Sequence, residues 1–309
     1  MQEVISRTET ENYNNKDLSS FSKLKNEFVL IEINNNATSS INPKELTEFE
    51  KAASKIYFTP ISCQENYSGN YDNYLLTTLR QISSIKNLPY EKALSNPELY
   101  KNYPSKEIKE CLNSDKKLIL LDLDETLIHS EHEIKDINIY DTILRFKDNS
   151  SDPQASEYYE IGIFLRNGVQ KFLSVLKNYF NIGIFTASDK DYADAIIKYL
   201  DPNNNIIKFS LYRENCVNVN DLINIKDLRI LKDVKDDNLK KIVLIDNNMY
   251  SFSNQLSNGI LINSFYGDKN DNELSNVLGY LLEFILPADD IRETNEKIFG
   301  FSRILEQIN

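Results

Sequence analysis

From Lys116 onward, short apolar runs alternate with stretches of helical period, and this alternation restricts the fold more than any other feature. The apolar runs are "LILLDLD", "YEIGIFL", "NIGIFTA", "IIKFSLY", "KIVLID" and "GILINS". The helical stretches are "VQKFLSVLKNY", "KDYADAIIKYL" and "DNELSNVLGYLLEFI". Parallel strands need a crossover long enough to hold a helix, so strands alternating with helices predict an α/β fold with a doubly wound parallel sheet. In such a sheet, ligands bind at the carboxyl ends of the strands.

Those ends carry the polar residues. "LILLDLDETL" is apolar on both faces through Leu121 and then presents Asp122, Asp124 and Thr126. Alternate residues of an extended segment share a face, so both aspartates can point the same way. Two carboxylates brought together repel and are costly to desolvate, so a cation is expected beside them. "NIGIFTAS" ends in Thr186 and Ser188, "KIVLIDNN" ends in Asp246 and Asn247, and Lys226 precedes that last strand.

These groups suit phosphoryl transfer from a monoester. One carboxylate can attack phosphorus, and a second can protonate the leaving oxygen and then activate water. Mg²⁺ takes oxygen ligands, while a hydroxyl and an ammonium bind the remaining phosphate oxygens. The cations are required by magnitude: two like charges 4 Å apart repel by about 4 kcal/mol at an effective dielectric of 20. An unassisted Asp122 would repel a phosphomonoester.

The same residues resemble the haloacid dehalogenase (HAD) superfamily, within it the FCP/SCP-like phosphatases that act on the RNA polymerase II C-terminal domain. "LDLDETLIHS" resembles the signature of that branch, and "FLRNGVQKFL", "IFTASDKDYAD", "LYRENCV", "KDL" and "LIDN" follow in the expected order. The resemblance covers residues 115 to 285 and implies an HAD-like Rossmannoid core. It implies Asp122 as nucleophile and Mg²⁺ ligand. Asp124 would be general acid and base, with its backbone carbonyl on the metal. Thr126 would steady the nucleophile loop, Thr186 and Lys226 would bind the phosphoryl group, and Asn247 with Asp246 would complete the metal site. Tyr192 and Arg213 match positions that hold the phosphopeptide.

Two departures stand out. Arg166-Asn167 replaces the usual Arg-Pro, which implies a looser turn. The segment from Lys226 to Asp246 is a few residues longer than usual, which makes Lys232 a rival to Lys226; "KDL" favours Lys226.

The chain has 309 residues and a net charge of −12, which disfavours direct nucleic-acid binding driven by charge. Cys63, Cys111 and Cys216 form no CxxC pair and suit an intracellular, reduced environment. No apolar stretch is long enough for a membrane span, so a soluble nuclear or cytoplasmic protein is expected. Asp122-x-Asp124 does not open an EF-hand loop, because the sixth position is Leu127 where glycine is required. His129 and His132 lack the partners of a zinc site and read as surface or loop residues. Arg213 could equally serve a structural ion pair, and Tyr192 could equally pack a helix.

Three segments are expected. Residues 1–44 are Asn-rich and read as a disordered tail, interrupted by "FVLIEI". Residues 45–113 read as a mainly helical extension, and residues 114–309 as the phosphatase domain. A small β insertion is expected between His132 and Tyr158, over the active site, with "INIYDTILRF" as a hairpin strand. The function expected is Mg²⁺-dependent dephosphorylation of phosphoserine or phosphothreonine in a protein, with the polymerase C-terminal repeats as a candidate partner. The alternatives are a catalytically idle, phosphatase-like binding module and a phosphatase for small metabolites.

Overall fold

The structure, a computed structural model, describes residues 77–83, 105–147, 158–219, 222–231 and 236–308. The expected tail over 1–44, most of the extension, and Lys232 lie outside these residues.

Strand β1 (Leu118–Leu121) is buried at all four positions, as an apolar run covered on both faces must be. It lies at the centre of a five-stranded parallel sheet with β5 (Asn181–Phe185), β6 (Ile207–Leu211), β9 (Ile242–Asp246) and β10 (Gly259–Leu261), in the order β10-β9-β1-β5-β6. The chain runs outward on one side of β1 through β5 and β6, then returns to build β9 and β10 on the other. The order therefore reverses at β1, which makes its carboxyl end the switch point where such sheets bind ligands. Register sharpens this: Leu121 pairs with Ile184 on one side and Ile245 on the other. The next residue, Asp122, thus comes level with Asp246.

Helices cover the sheet through regular apolar faces. Helix α2 (Val169–Tyr179) buries Val169, Phe172, Leu173 and Leu176, a spacing of three and four. Helix α3 (Lys190–Leu200) buries Ala193, Ile196 and Leu200. Each fully buried side chain of leucine or phenylalanine size contributes about 2 kcal/mol. Helices α4 (Glu273–Tyr280), α5 (Ile291–Ile298) and α6 (Phe301–Ile308) close the chain, with a π turn over Leu281–Ile285 after α4. Gly183 in β5 admits the Phe209 ring, which a Cβ would meet at 2.7 Å.

One apolar run lies elsewhere than expected. "YEIGIFL" forms β4 (Tyr158–Leu165) in a separate antiparallel sheet, between β2 (Ile128–Glu131) and β3 (Thr142–Lys147). The reason is connection length: β2 follows β1 after a six-residue turn, too short for a parallel crossover. Strand β3 carries the second half of the anticipated "INIYDTILRF", from Thr142 on, and Phe146 on it stands 6.0 Å from the Tyr192 ring. A second antiparallel pair, β7 (Val217–Val219) with β8 (Ile223–Ile225), leads into Lys226.

The described part of the extension is helical, over 77–83 and in α1 (Lys106–Leu112). Leu79, Ile82, Ile108 and Cys111 are buried in the same cluster as Leu118, Leu120, Ile242 and Leu244 of the sheet.

Candidate active site

The end of β1 turns sharply. The carbonyl of Leu123 accepts from the N–H groups of Thr126, Leu127 and Ile128. This turn holds Glu125 at φ +55°, a left-handed conformation that costs a residue other than glycine about 1–2 kcal/mol. It brings the Thr126 hydroxyl back to donate to Asp122 Oδ2 at 3.0 Å.

Asp122 Oδ1 accepts from Lys226 Nζ at 2.6 Å, and the same ammonium reaches Asp246 Oδ2 at 2.6 Å. Asp122, Lys226 and Asp246 are 6%, 1% and 1% exposed, so this triad is desolvated. Lys226 is held from behind, where its backbone N–H donates to the Ser251 carbonyl at 2.7 Å. Asp246 Oδ1 accepts from the Asn248 N–H at 2.7 Å. Asn247 Oδ1 lies 3.3 Å from Thr126 Oγ1, and its Nδ2 donates to Ser264 Oγ at 3.0 Å.

Asp124 sits beside this triad. Its Oδ1 accepts from Tyr192 OH at 2.6 Å and its Oδ2 from Ser188 Oγ at 2.5 Å. Thr186 is buried at the end of β5, with Oγ1 accepting from the Ser188 N–H at 3.0 Å.

Burial and the neighbouring Asp122 push Asp124 above the usual carboxylate range, against the pull of the two hydroxyls. Burial also raises Asp246, although Lys226 draws it down. Burial alone would lower Lys226, but Asp122 and Asp246 outweigh it and hold the ammonium charged. Glu125 is raised by burial and by Asp124.

The structure therefore draws Asp122, Asp124, Thr126, Thr186, Tyr192, Lys226, Asp246 and Asn247 to one end of the sheet. Arg213 is not at the triad. Its guanidinium pairs with Asp189 at 2.9 and 3.1 Å and donates to the Ala187 carbonyl at 2.7 Å, at an exposed rim position. His129 faces Glu125 at 3.3 Å, and no metal-binding group of histidine, cysteine and acidic residues occurs among the described residues. Ser188, Ser264 and Arg166 have contacts at the site and were given no site role from the sequence. Of these only Ser188 carried a signal, two residues beyond Thr186 at a strand end.

Two buried carboxylates share one ammonium here, with the Asp124 carboxyl beside them, so acidic groups outnumber the fixed cation. Asp122, Asp246 and the Asn247 amide offer hard oxygen donors, and that donor chemistry fits Mg²⁺. A buried carboxylate, a second carboxyl inclined to keep its proton, and a fixed cation can together transfer a phosphoryl group in two steps.

Comparison with known proteins bears on this geometry. The family model described as NLI interacting factor-like phosphatase matches residues 117–292. The chain is 35% identical over 195 residues to "CTD small phosphatase-like protein 2" of Dictyostelium discoideum, covering 63% of this chain and 32% of that protein. It is 37% identical over 175 residues to "CTD small phosphatase-like protein 3" of Caenorhabditis elegans, covering 57% of this chain and 56% of that protein. It is 32% identical over 185 residues to "CTD nuclear envelope phosphatase 1B" of Danio rerio, covering 57% of this chain and 70% of that protein. This chain thus spans between about a third and just over half of the first two relatives.

Proposed function

We propose that this chain, which belongs to the NLI interacting factor-like phosphatase family, hydrolyses phosphoserine or phosphothreonine in a protein by way of phospho-Asp122. The observation that carries this reading is the buried Asp122–Lys226–Asp246 triad with Asp124 beside it, at the switch point of a parallel sheet.

Asp122 attacks phosphorus, and the bond to the leaving oxygen breaks. Asp124, whose acid form burial and Asp122 favour, gives its proton to that oxygen. It then accepts a proton from the water that cleaves phospho-Asp122, which returns the carboxylate and releases phosphate. Lys226 touches Asp122 Oδ1 and so remains within reach of a phosphoryl oxygen bonded there. Thr126 fixes the Asp122 rotamer through Oδ2, and Thr186 offers a hydroxyl at the neighbouring strand end. The side chains of Asp122, Asp246 and Asn247 and the carbonyl of Asp124 would hold Mg²⁺, which supplies positive charge against the phosphoryl oxygens.

The polymerase C-terminal repeats are the proposed substrate class. The resemblance supports this, as does "CTD" in the printed names of three relatives. Nuclear or cytoplasmic residence is proposed with that substrate. None of the described helices is long and apolar enough to cross a membrane.

Hydrolysis of para-nitrophenyl phosphate and of a phosphoserine peptide tests the reading. Wild type with Mg²⁺ should turn over both. Asp122→Asn with Mg²⁺, and wild type in EDTA, should turn over neither. A folded wild type inactive on both would favour the idle binding module. Turnover of the aryl ester without the peptide would favour a metabolite phosphatase.

A further inference from the structure

Arg166 has no part in the chemistry above, yet it is the largest fully buried side chain among the described residues, at 0% exposure. It leaves β4 at the turn into α2, where Gly168 at φ +77° lets the backbone reverse. Burying a guanidinium is expensive unless every donor direction is met. Here Nε and Nη2 each donate to the Asp271 carboxylate at 2.8 Å. Nη1 donates to the Thr126 carbonyl at 3.0 Å, and Nη2 also donates to the Asn263 carbonyl at 2.7 Å. The planar fork thus ties the nucleophile turn at Thr126 to both ends of the loop between β10 and α4, at Asn263 and Asp271.

Two of those attachments lead straight to the site. Thr126 is held through its carbonyl by Arg166 and through its hydroxyl holds Asp122 Oδ2. Asn263 adjoins Ser264, whose hydroxyl accepts from the Asn247 amide at 3.0 Å. The loop after β10 is also tied to the nucleophile turn by the Phe265 N–H, which donates to the Glu125 carbonyl at 2.8 Å. Asn167, in the place of the family's proline, donates to the Asp271 carbonyl at 3.2 Å and so adds a further tie at this turn. Buried networks that fix the groups touching substrate govern rate, because small displacements of those groups are costly.

We propose that Arg166, paired with Asp271, is a positioning residue: it sets the placement of Thr126 and Asn247, and through them the attack geometry of Asp122. The inference rests on the phosphatase reading. Arg166 is buried away from substrate, so its loss should lower kcat and leave KM nearly unchanged. Lysine is a poor substitute, because a point charge cannot reproduce the fork to two carbonyls and a carboxylate.

The test is steady-state hydrolysis of para-nitrophenyl phosphate by the full chain with Mg²⁺. Rates are expressed per folded molecule, with the folded fraction measured by circular dichroism. Arg166→Lys, Arg166→Ala and Asp271→Asn are compared with wild type and Asp122→Asn. Arg166→Ala should lose about ten- to hundredfold in kcat with KM within about threefold, and added guanidinium should restore part of the loss. Should Arg166→Ala fail to fold, Arg166→Lys and Asp271→Asn carry the test, each with a smaller loss of the same pattern. A kcat within about twofold of wild type in both of these would overturn the proposal. Absence of turnover by wild type, or full turnover by Asp122→Asn, would overturn the phosphatase reading instead and this inference with it.

Discussion

Lys226→Met removes one ammonium and keeps most of the apolar stem. In the structure that ammonium touches two carboxylate oxygens, each at 2.6 Å, and all three groups are buried. Each contact is worth about 6 kcal/mol of gross attraction at an effective dielectric of 20. Desolvating the three ions costs several kcal/mol apiece, which offsets most of that sum. Removing one partner is a different matter from replacing the whole group. It leaves Asp122 and Asp246 facing each other without a counterion, for which about 3–5 kcal/mol of lost stability is expected. The loss should depend on pH. An unpaired buried carboxylate destabilises the fold only while ionised, and burial already holds Asp246 above its ordinary range. The penalty should therefore be largest near about pH 8 and shrink towards about pH 5, as the folded state takes up a proton. Urea unfolding in EDTA, at both values and with matched slopes, measures it. Asp122→Asn introduced into the same variant removes the facing charge and should recover part of the loss. A penalty under about 1 kcal/mol at the higher pH would refute the reasoning, and so would a penalty that grows as pH falls.

Three further outcomes follow from particular contacts. Asp124→Asn should lower kcat by about 10²- to 10⁴-fold on an alkyl phosphate and less on an aryl phosphate with a good leaving group; equal losses would remove the acid role. The proposed mechanism requires the acid form of Asp124 in the first step, so alkyl-phosphate turnover should fall as pH rises through its raised pKa. Asp201, just past the end of α3, orders the loop that follows by accepting from the N–H groups of Asn205, Ile206 and Ile207 at 2.8–3.1 Å, and Asp201→Ala should cost about 1–3 kcal/mol by urea unfolding. Burial raises the Asp201 pKa, but those N–H groups outweigh it and the net shift is downward, so this stabilisation is present above the unfolded value of about 3.9 and lost as pH falls through the lower folded value. Leu79 is fully buried against the sheet cluster, so Leu79→Ala should cost about 2–5 kcal/mol; a cost near zero would mean that residues 77–83 do not pack there.

Much of the site was legible because the chemistry lies at strand ends. Asp122 follows an apolar run, Asp246 ends another and Thr186 follows a third, so the sheet rule gathers them without knowledge of the packing. Lys226 was different. Its place depends on the β7–β8 pair and on the Ser251 carbonyl, and only the motif order singled it out. Arg213 matched a motif position as well, but Asp189 and the Ala187 carbonyl occupy its guanidinium at the rim. "YEIGIFL" was read as a parallel strand because an apolar run reports burial and not the partner that supplies it. Arg166 stood in a motif, but its role was not legible: an arginine in a turn gives no hint that the nucleophile turn and the loop after β10 close around it.

Phosphoryl transfer to Asp122 is tested most directly by acid-quenching the enzyme during turnover of a phosphoserine peptide and mapping its own peptides by mass spectrometry. The peptide containing Asp122 should gain the mass of one phosphoryl group in wild type, and the gain should vanish in Asp122→Asn. It should also build up in Asp124→Asn with a good leaving group, where water is no longer activated. Steady turnover with the Asp122 peptide unmodified, or a phosphoryl group found on another residue, would contradict the mechanism.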